Sequence, residues 1–288
     1  MKTQRKPEWL RQHTNCHTQF GEMASILMSH GLHTICQSGR CPNRNECWSL
    51  GTAAFMIGGE YCTRACKFCN TQTAKKSLLN AKEPELLAQT IRRMQLAYAV
   101  ITSVSRDDLP DAGLSHWMLC VQRVKEVNPD IQIETLIPDF NGNMEAVSAL
   151  AALPIAMMAY NVETTRRITP LVRNIATYER SLTVLQTISD SGKACKSGFM
   201  LGLGENENEV SELIHDLYSV GCRYLSIGQY LQPSRSHYPV VRYYEPTFFE
   251  QIKQEALSLG FVYVESGPFV RSSYHASLAI EYMRCNVK

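Results

Sequence analysis

From about residue 53 onward the chain alternates short apolar or β-branched runs with segments of helical period. The runs at 52–59, 98–104, 131–138, 155–161, 196–203, 224–231 and 261–267 have the length and composition of strands. Between them Leu87, Ile91, Met94 and Tyr98 fall on one helical face, as do Leu182, Leu185 and Ile188. Val210, Leu213, Ile214, Leu217 and Tyr218 form a third such face, and Phe249, Ile252, Ala256 and Leu259 a fourth. Strand–helix alternation implies parallel strands joined by right-handed crossovers. The expected fold is therefore α/β: a partial or full (β/α) barrel, with a doubly wound sheet as the competitor. Either architecture places function at the C-terminal strand ends and the loops after them. Residues 1–50 fall outside the repeat and are expected to be an N-terminal extension. Residues 51–245 form the β/α core, and 246–288 the last β/α unit and a C-terminal tail. Residues 163–174 are expected to be a polar connection.

Composition narrows the function classes. Apolar residues make up 44% of the 288 positions, enough for a large core, and the net charge of +2 carries no basic excess of the kind a nucleic-acid binder uses. The most apolar run, 151–160, is too short to span a bilayer, and no apolar stretch follows the basic start. A soluble cytoplasmic protein is expected. Eleven cysteines are many for such a chain, and a reducing compartment argues against a disulfide framework. Cys16, Cys120, Cys195, Cys222 and Cys285 are scattered and read as ordinary small core or surface residues. The other six fall in two groups.

Cys62, Cys66 and Cys69 follow the first predicted strand with the spacing C-x3-C-x2-C, and Phe68 precedes the last of them. A structural zinc site takes four protein ligands. Three thiolates instead hold three irons of a cubane cluster and leave the fourth open. The spacing is similar to the signature of the radical S-adenosylmethionine superfamily; a zinc knuckle with a distant fourth ligand is the alternative. Cys36, Cys41 and Cys47, at C-x4-C-x5-C, form a second triad that suits zinc or an auxiliary cluster. "IGGE" (57–60) and "LGLGEN" (201–206) match neither a P-loop nor a dinucleotide fingerprint. His30 and His33 read as loop residues, and the adjacent acids of "SRDDLP" (105–110) as solvated or capping.

The two triads in this order, with "RSSYHA" in the tail, resemble the lipoyl synthase family. Further similar segments are "KPEWLR" (6–11), "GLHTICQSGRCPN" (31–43), "TSVSRDDLPDAG" (102–113), "KSGFMLGLGE" (196–205) and "LSIGQYLQPS" (225–234), so the likeness covers almost the whole chain. It implies two [4Fe–4S] clusters and S-adenosyl-L-methionine as cofactors. It also implies insertion of two sulfur atoms at carbons 6 and 8 of a protein-bound octanoyl-lysine. Cys62, Cys66 and Cys69 would hold the catalytic cluster. Cys36, Cys41 and Cys47 would hold the auxiliary, sulfur-donating one together with the serine after Arg271, Ser272 being favoured over Ser273. Phe68, Thr102, Ser103, Asn161, Glu163 and Arg173 would contact the cofactor. Implied partners are octanoylated lipoyl-carrier domains (glycine-cleavage H protein, 2-oxoacid dehydrogenase acyltransferase subunits) and a low-potential electron donor. Two departures stand out: Tyr160 occupies a position where the family commonly has histidine, and Asn174-Ile175 replaces a common Pro-Gly. A paralogue with another acceptor and a zinc-binding structural protein are the competing readings.

Overall fold

The computed structural model describes residues 5–10, 25–27, 30–49, 53–276, 278 and 282. Cys16 and Cys285 lie outside them. The strands are β1 (His33–Thr34), β2 (Ala54–Ile57), β3 (Tyr98–Ser103), β4 (Gln132–Leu136), β5 (Met157–Ala159), β6 (Ala194–Leu201), β7 (Tyr224–Gln229) and β8 (Tyr263–Gly267). They follow one another in chain order in one sheet, without the order reversal that defines a doubly wound fold. The expected α/β partial barrel is the fold observed.

By contacts the chain divides into two compact units. One comprises His13–Arg64 and Asn70–Met158. Here β2, β3 and β4 pair in parallel, with Phe55 opposite Ile101 and Val100 opposite Glu134. All four β2 residues are buried, and β3 is buried between its end residues, as expected of parallel strands covered on both faces. The helix Glu83–Arg93 buries Leu87, Ala88 and Ile91. It has Pro84 at its start, acids in its first turn and Arg92 and Arg93 in its last, matching the helix dipole. The helix Leu114–Val127 buries Trp117, Cys120, Val121 and Val124. In the N-terminal segment β1 pairs antiparallel with β2, unlike the parallel pairing of the β/α repeat.

The other unit comprises Met1–Gln12, Ala65–Cys69 and Ala159–Lys288. Here β6, β7 and β8 pair in parallel, with Gly198 opposite Ser226 and Ser226 opposite Glu265. The helix Glu207–Ser219 opens on a capping box between Asn206 and Glu209 and buries Val210, Leu213, Ile214 and Leu217. Pro246–Leu259 ends at Gly260, whose φ of 114° favours glycine.

Two local expectations need correction. Tyr98 opens β3 and does not extend the preceding helical face, since that helix ends at Arg93 with Met94 as its cap. Residues 163–174 are more than a polar connection. They contain the helix Thr169–Val172, and Ile168 and Val172 join a buried cluster with Leu203 and Tyr230. Among the described residues no helix is long and apolar enough to cross a membrane.

Candidate metal and cofactor centre

The loop after β2 is built by backbone pairing. Cys62 donates its N–H to Gln72 O (2.8 Å) and accepts at its carbonyl from Ala74 N (3.1 Å), while Thr63 N donates to Ser105 O (3.0 Å). The N–H groups of Arg64 and Ser105 both point at Cys62 Sγ, each at 3.4 Å. Two amide donors on one sulfur suit a thiolate held as a cluster ligand, where hydrogen bonds to sulfur tune the cluster. Arg64 itself is buried and locked. It donates to both oxygens of Asp107 (2.7 and 2.8 Å) and to Asp139 Oδ1 (2.6 Å). Burial alone would lower the guanidinium's pKa, and the two carboxylates more than offset that. Asp107 and Asp108 are therefore not the solvated or capping acids expected. Asp107 holds Arg64, and Asp108 holds Arg106 at 2.8 Å.

Cys66 and Cys69 belong to the other unit, with Cys69 N donating to Cys66 O at 3.0 Å. Lys67 N donates to Val172 O (2.8 Å), Tyr238 N to Lys67 O (2.8 Å), and His237 Nε2 to Cys69 O (3.1 Å). Phe68 packs against the buried cluster of Ile168, Val172, Leu203 and Tyr230.

The same unit gathers Asn161, Glu163, Arg173 and Ser272. Asn161 Nδ2 donates to Ser272 Oγ at 2.7 Å. Burial raises the Glu163 carboxyl above the usual range, offset in part by the Arg173 charge and by a hydrogen bond to Asn161. Glu163 also sits at a φ of 73°, pinned by Glu163 N to Gly198 O (3.1 Å) and Met200 N to Glu163 O (2.9 Å). Arg173 donates to Tyr160 OH (2.9 Å) and Ser181 Oγ (3.2 Å), and its charge is felt by Cys66. Tyr160 thus accepts a hydrogen bond where the family commonly has histidine. Asn161 Oδ1 and Arg173 Nε are buried without a partner. One orphaned acceptor, one orphaned donor and a carboxylate form a donor set that fits a zwitterionic ligand carrying an extra positive charge. Residue 198 must be small here, because a Cβ on Gly198 would lie 3.0 Å from Asn161 Oδ1.

The three cysteines of the second triad lie in one unit. Cys36 lies in the helix Ile35–Ser38, Cys41 N donates to Cys36 O (3.0 Å), and Cys47 lies in the helix Arg44–Ser49. None of the three is in a disulfide. The Cys47 thiol is pushed up to about 12, by burial first and then by Cys41 and Cys36. Burial of Cys36 and Cys47, and the crowding of Cys47 by the other two thiols, disfavour thiolates that a bound cation would favour. Arg271 precedes Ser272, and its charge, after burial, lowers the pKa of Lys6.

Thr102 Oγ1 donates to Leu136 O (2.9 Å) and Ser103 Oγ accepts from Trp117 Nε1 (3.0 Å), so both have protein partners within their unit. Sequence reasoning missed Arg64 and Asp139 altogether. The only available signal was the position of Arg64 inside the cysteine loop.

The chain matches the Radical SAM superfamily over residues 56–217. It is 53% identical over 272 residues to Lipoyl synthase of Parabacteroides distasonis, covering 94% of this chain and 97% of that protein. Lipoyl synthase of Bacteroides thetaiotaomicron is 52% identical (94% and 96% covered), and that of Treponema denticola 48% (95% and 94%). Among solved structures, Streptococcus suis SuiB bound to S-adenosylmethionine aligns with a TM-score of 0.55 at 10% identity (75% of this chain, 50% of that one). Methylornithine synthase (PylB) aligns with a TM-score of 0.55 at 12% identity (85% and 81%). These structural likenesses establish the fold.

Proposed function

The chain belongs to the lipoyl synthase family of radical S-adenosylmethionine enzymes, and from that membership we propose how its residues divide the work of placing two sulfur atoms at carbons 6 and 8 of an octanoyl-lysine. The enzyme uses [4Fe–4S] clusters and S-adenosyl-L-methionine. When bound and reduced, these supply a carbon radical able to take hydrogen from an unactivated chain.

In our reading Cys62, Cys66 and Cys69 hold the catalytic cluster, with the Arg64 and Ser105 amides directed at the first sulfur. Glu163 attracts the cationic end of S-adenosylmethionine, while Arg173 and Asn161 offer the unpaired donor and acceptor to its polar groups. The Phe68 ring, packed on the buried cluster of Ile168, Val172, Leu203 and Tyr230, stiffens the loop that carries Cys66 and Cys69. Thr102 and Ser103 close the β3 end. Cys36, Cys41, Cys47 and Ser272 hold the sulfur-donating cluster, with Arg271 beside the serine. The three-part organisation expected from sequence (1–50, 51–245, 246–288) is kept as part of this proposal.

One observation carries the sulfur-insertion reading. The triad Cys36–Cys41–Cys47, none of it in a disulfide, lies outside residues 56–217, so it is an addition to the radical core. Octanoylated lipoyl-carrier domains are the proposed acceptors and a low-potential protein the electron donor. Both triads must stay reduced, which points to the cytoplasm. The test is anaerobic incubation of reconstituted protein with S-adenosylmethionine, reductant and an octanoyl-lysyl peptide, read by mass spectrometry. Gain of two sulfurs in place of two hydrogens is expected. 5′-Deoxyadenosine with an unchanged peptide would assign the radical chemistry to another acceptor.

A further inference from the structure

The strand end in front of Cys62 is held by charges that the reading above does not use. Gly58 N donates to Glu83 Oε2 at 2.8 Å, and the same oxygen meets His116 Nε2 at 2.5 Å. On the other side, Arg106 Nη1 donates to Gly58 O at 2.8 Å. That guanidinium is fixed in turn by Asp108 (2.8 and 2.9 Å) and by Ser77 O (2.6 Å). Both polar groups of one glycine are thus gripped by ionisable side chains that are 3% exposed (Glu83) and 2% exposed (Arg106). Gly58 has a φ of 83°, so no ordinary residue substitutes for it, and Gly59 follows at 94°.

We propose that Glu83 and Arg106 are positioning residues that set the course of the backbone from Gly58 to Cys62, and that S-adenosylmethionine affinity depends on them through that backbone. The inference rests on the reading of the Cys62–Cys66–Cys69 loop as the S-adenosylmethionine cluster site.

Three features favour a positioning role over a merely stabilising one. First, the strand itself needs no such clamp, since Val104 N already donates to Ile57 O at 3.3 Å. Second, buried charges are costly unless paired, and neutral side chains would satisfy one peptide more cheaply. What charges add is shorter, more directional bonding. Third, a cavity beside the clamp has about 10 Å³ of room, lined by Ile57, Ser103, Arg106, His116 and Trp117. That is room for a single water and no ligand, so the clamp acts through Gly58 itself. Glu83, His116 and Cys120 do bring ligand-type atoms within 4.8 Å of one another, so a small metal ion is the rival occupant.

The test compares Glu83→Ala, Glu83→Gln, Arg106→Lys and a purely apolar control, Val121→Ala, in cluster-loaded protein. Iron and sulfide content and thermal stability are measured first, and S-adenosylmethionine binding is then read by equilibrium dialysis. Expected is a dissociation constant about tenfold higher in Glu83→Ala at full cluster content. Glu83→Gln keeps an acceptor for Gly58 N and should recover most of the affinity. Arg106→Lys should fall between them, and Val121→Ala should lose stability with unchanged affinity. A Glu83→Ala affinity within twofold of the parent overturns the proposal, as does stoichiometric zinc in the parent that Glu83→Ala removes. If the fully loaded parent itself binds no S-adenosylmethionine, the underlying reading of the loop fails instead.

Discussion

Replacing Arg64 by methionine leaves two acids without their shared cation. Asp139 is fully buried, while the Asp107 side chain keeps 17% of its surface in solvent and can rehydrate. Asp139 also keeps the bond from Asn141 N at 3.1 Å. Breaking a buried pair costs about 3–5 kcal/mol, and the residual contacts place this case near the lower end. For a chain of this size that corresponds to a fall in Tm of roughly 6–12 °C. The assay is calorimetric unfolding of cluster-free Arg64→Met, Asp139→Asn and the double variant. Because removing Asp139's charge relieves the penalty, the double variant should be more stable than the sum of the single losses predicts, by about 1 kcal/mol or more. Loaded Arg64→Met should also release iron faster to a chelator, since Arg64 N is one of the two amides on Cys62 Sγ. Additive losses, or a single-variant loss under about 1 kcal/mol, would refute the view that this triad anchors the cysteine loop.

Other outcomes follow from the same geometry. Ser272→Cys should slow sulfur transfer, because a soft thiolate holds iron more firmly than a hydroxyl oxygen, whereas Ser273→Cys should leave turnover near the parent value; single-turnover product formation decides. Asn161→Ala removes the donor to Ser272 and should both weaken S-adenosylmethionine binding and speed chelator removal of auxiliary iron, by about tenfold or less in each case. Glu163→Gln should stabilise the cofactor-free protein near neutral pH. Burial raises the Glu163 carboxyl, so its contribution to stability is complete below the unfolded-state carboxylate range and is lost as pH rises through the folded value. The gain in Tm should therefore vanish toward acid, and a gain that is constant with pH would count against the assignment.

Much of this was legible in the chain because it is local. The strand runs, the helix faces at 210–218 and 249–259, and both cysteine spacings are patterns within a few dozen residues. The pairing of Arg64 with Asp107 and Asp139 was not, because nothing in sequence says which distant acid a cation will meet. For the same reason the acids at 107 and 108 looked solvated, although successive side chains serve two different buried arginines. The antiparallel return of β1 onto β2 was hidden by its two-residue length. The helix Thr169–Val172 was hidden by the arginines and threonines around Ile168 and Val172, whose burial depends on Leu203 and Tyr230 later in the chain.

The central claim is that the cluster held by the second triad donates the sulfur. The direct measurement is a single turnover of enzyme reconstituted with sulfur-34 sulfide, acting on an octanoyl-lysyl peptide, with Cys41→Ala run in parallel. The account predicts two sulfur-34 atoms in each product peptide from the parent. It predicts 5′-deoxyadenosine without sulfur incorporation from Cys41→Ala. Unlabelled sulfur in the product, or full sulfur insertion by Cys41→Ala, would contradict it.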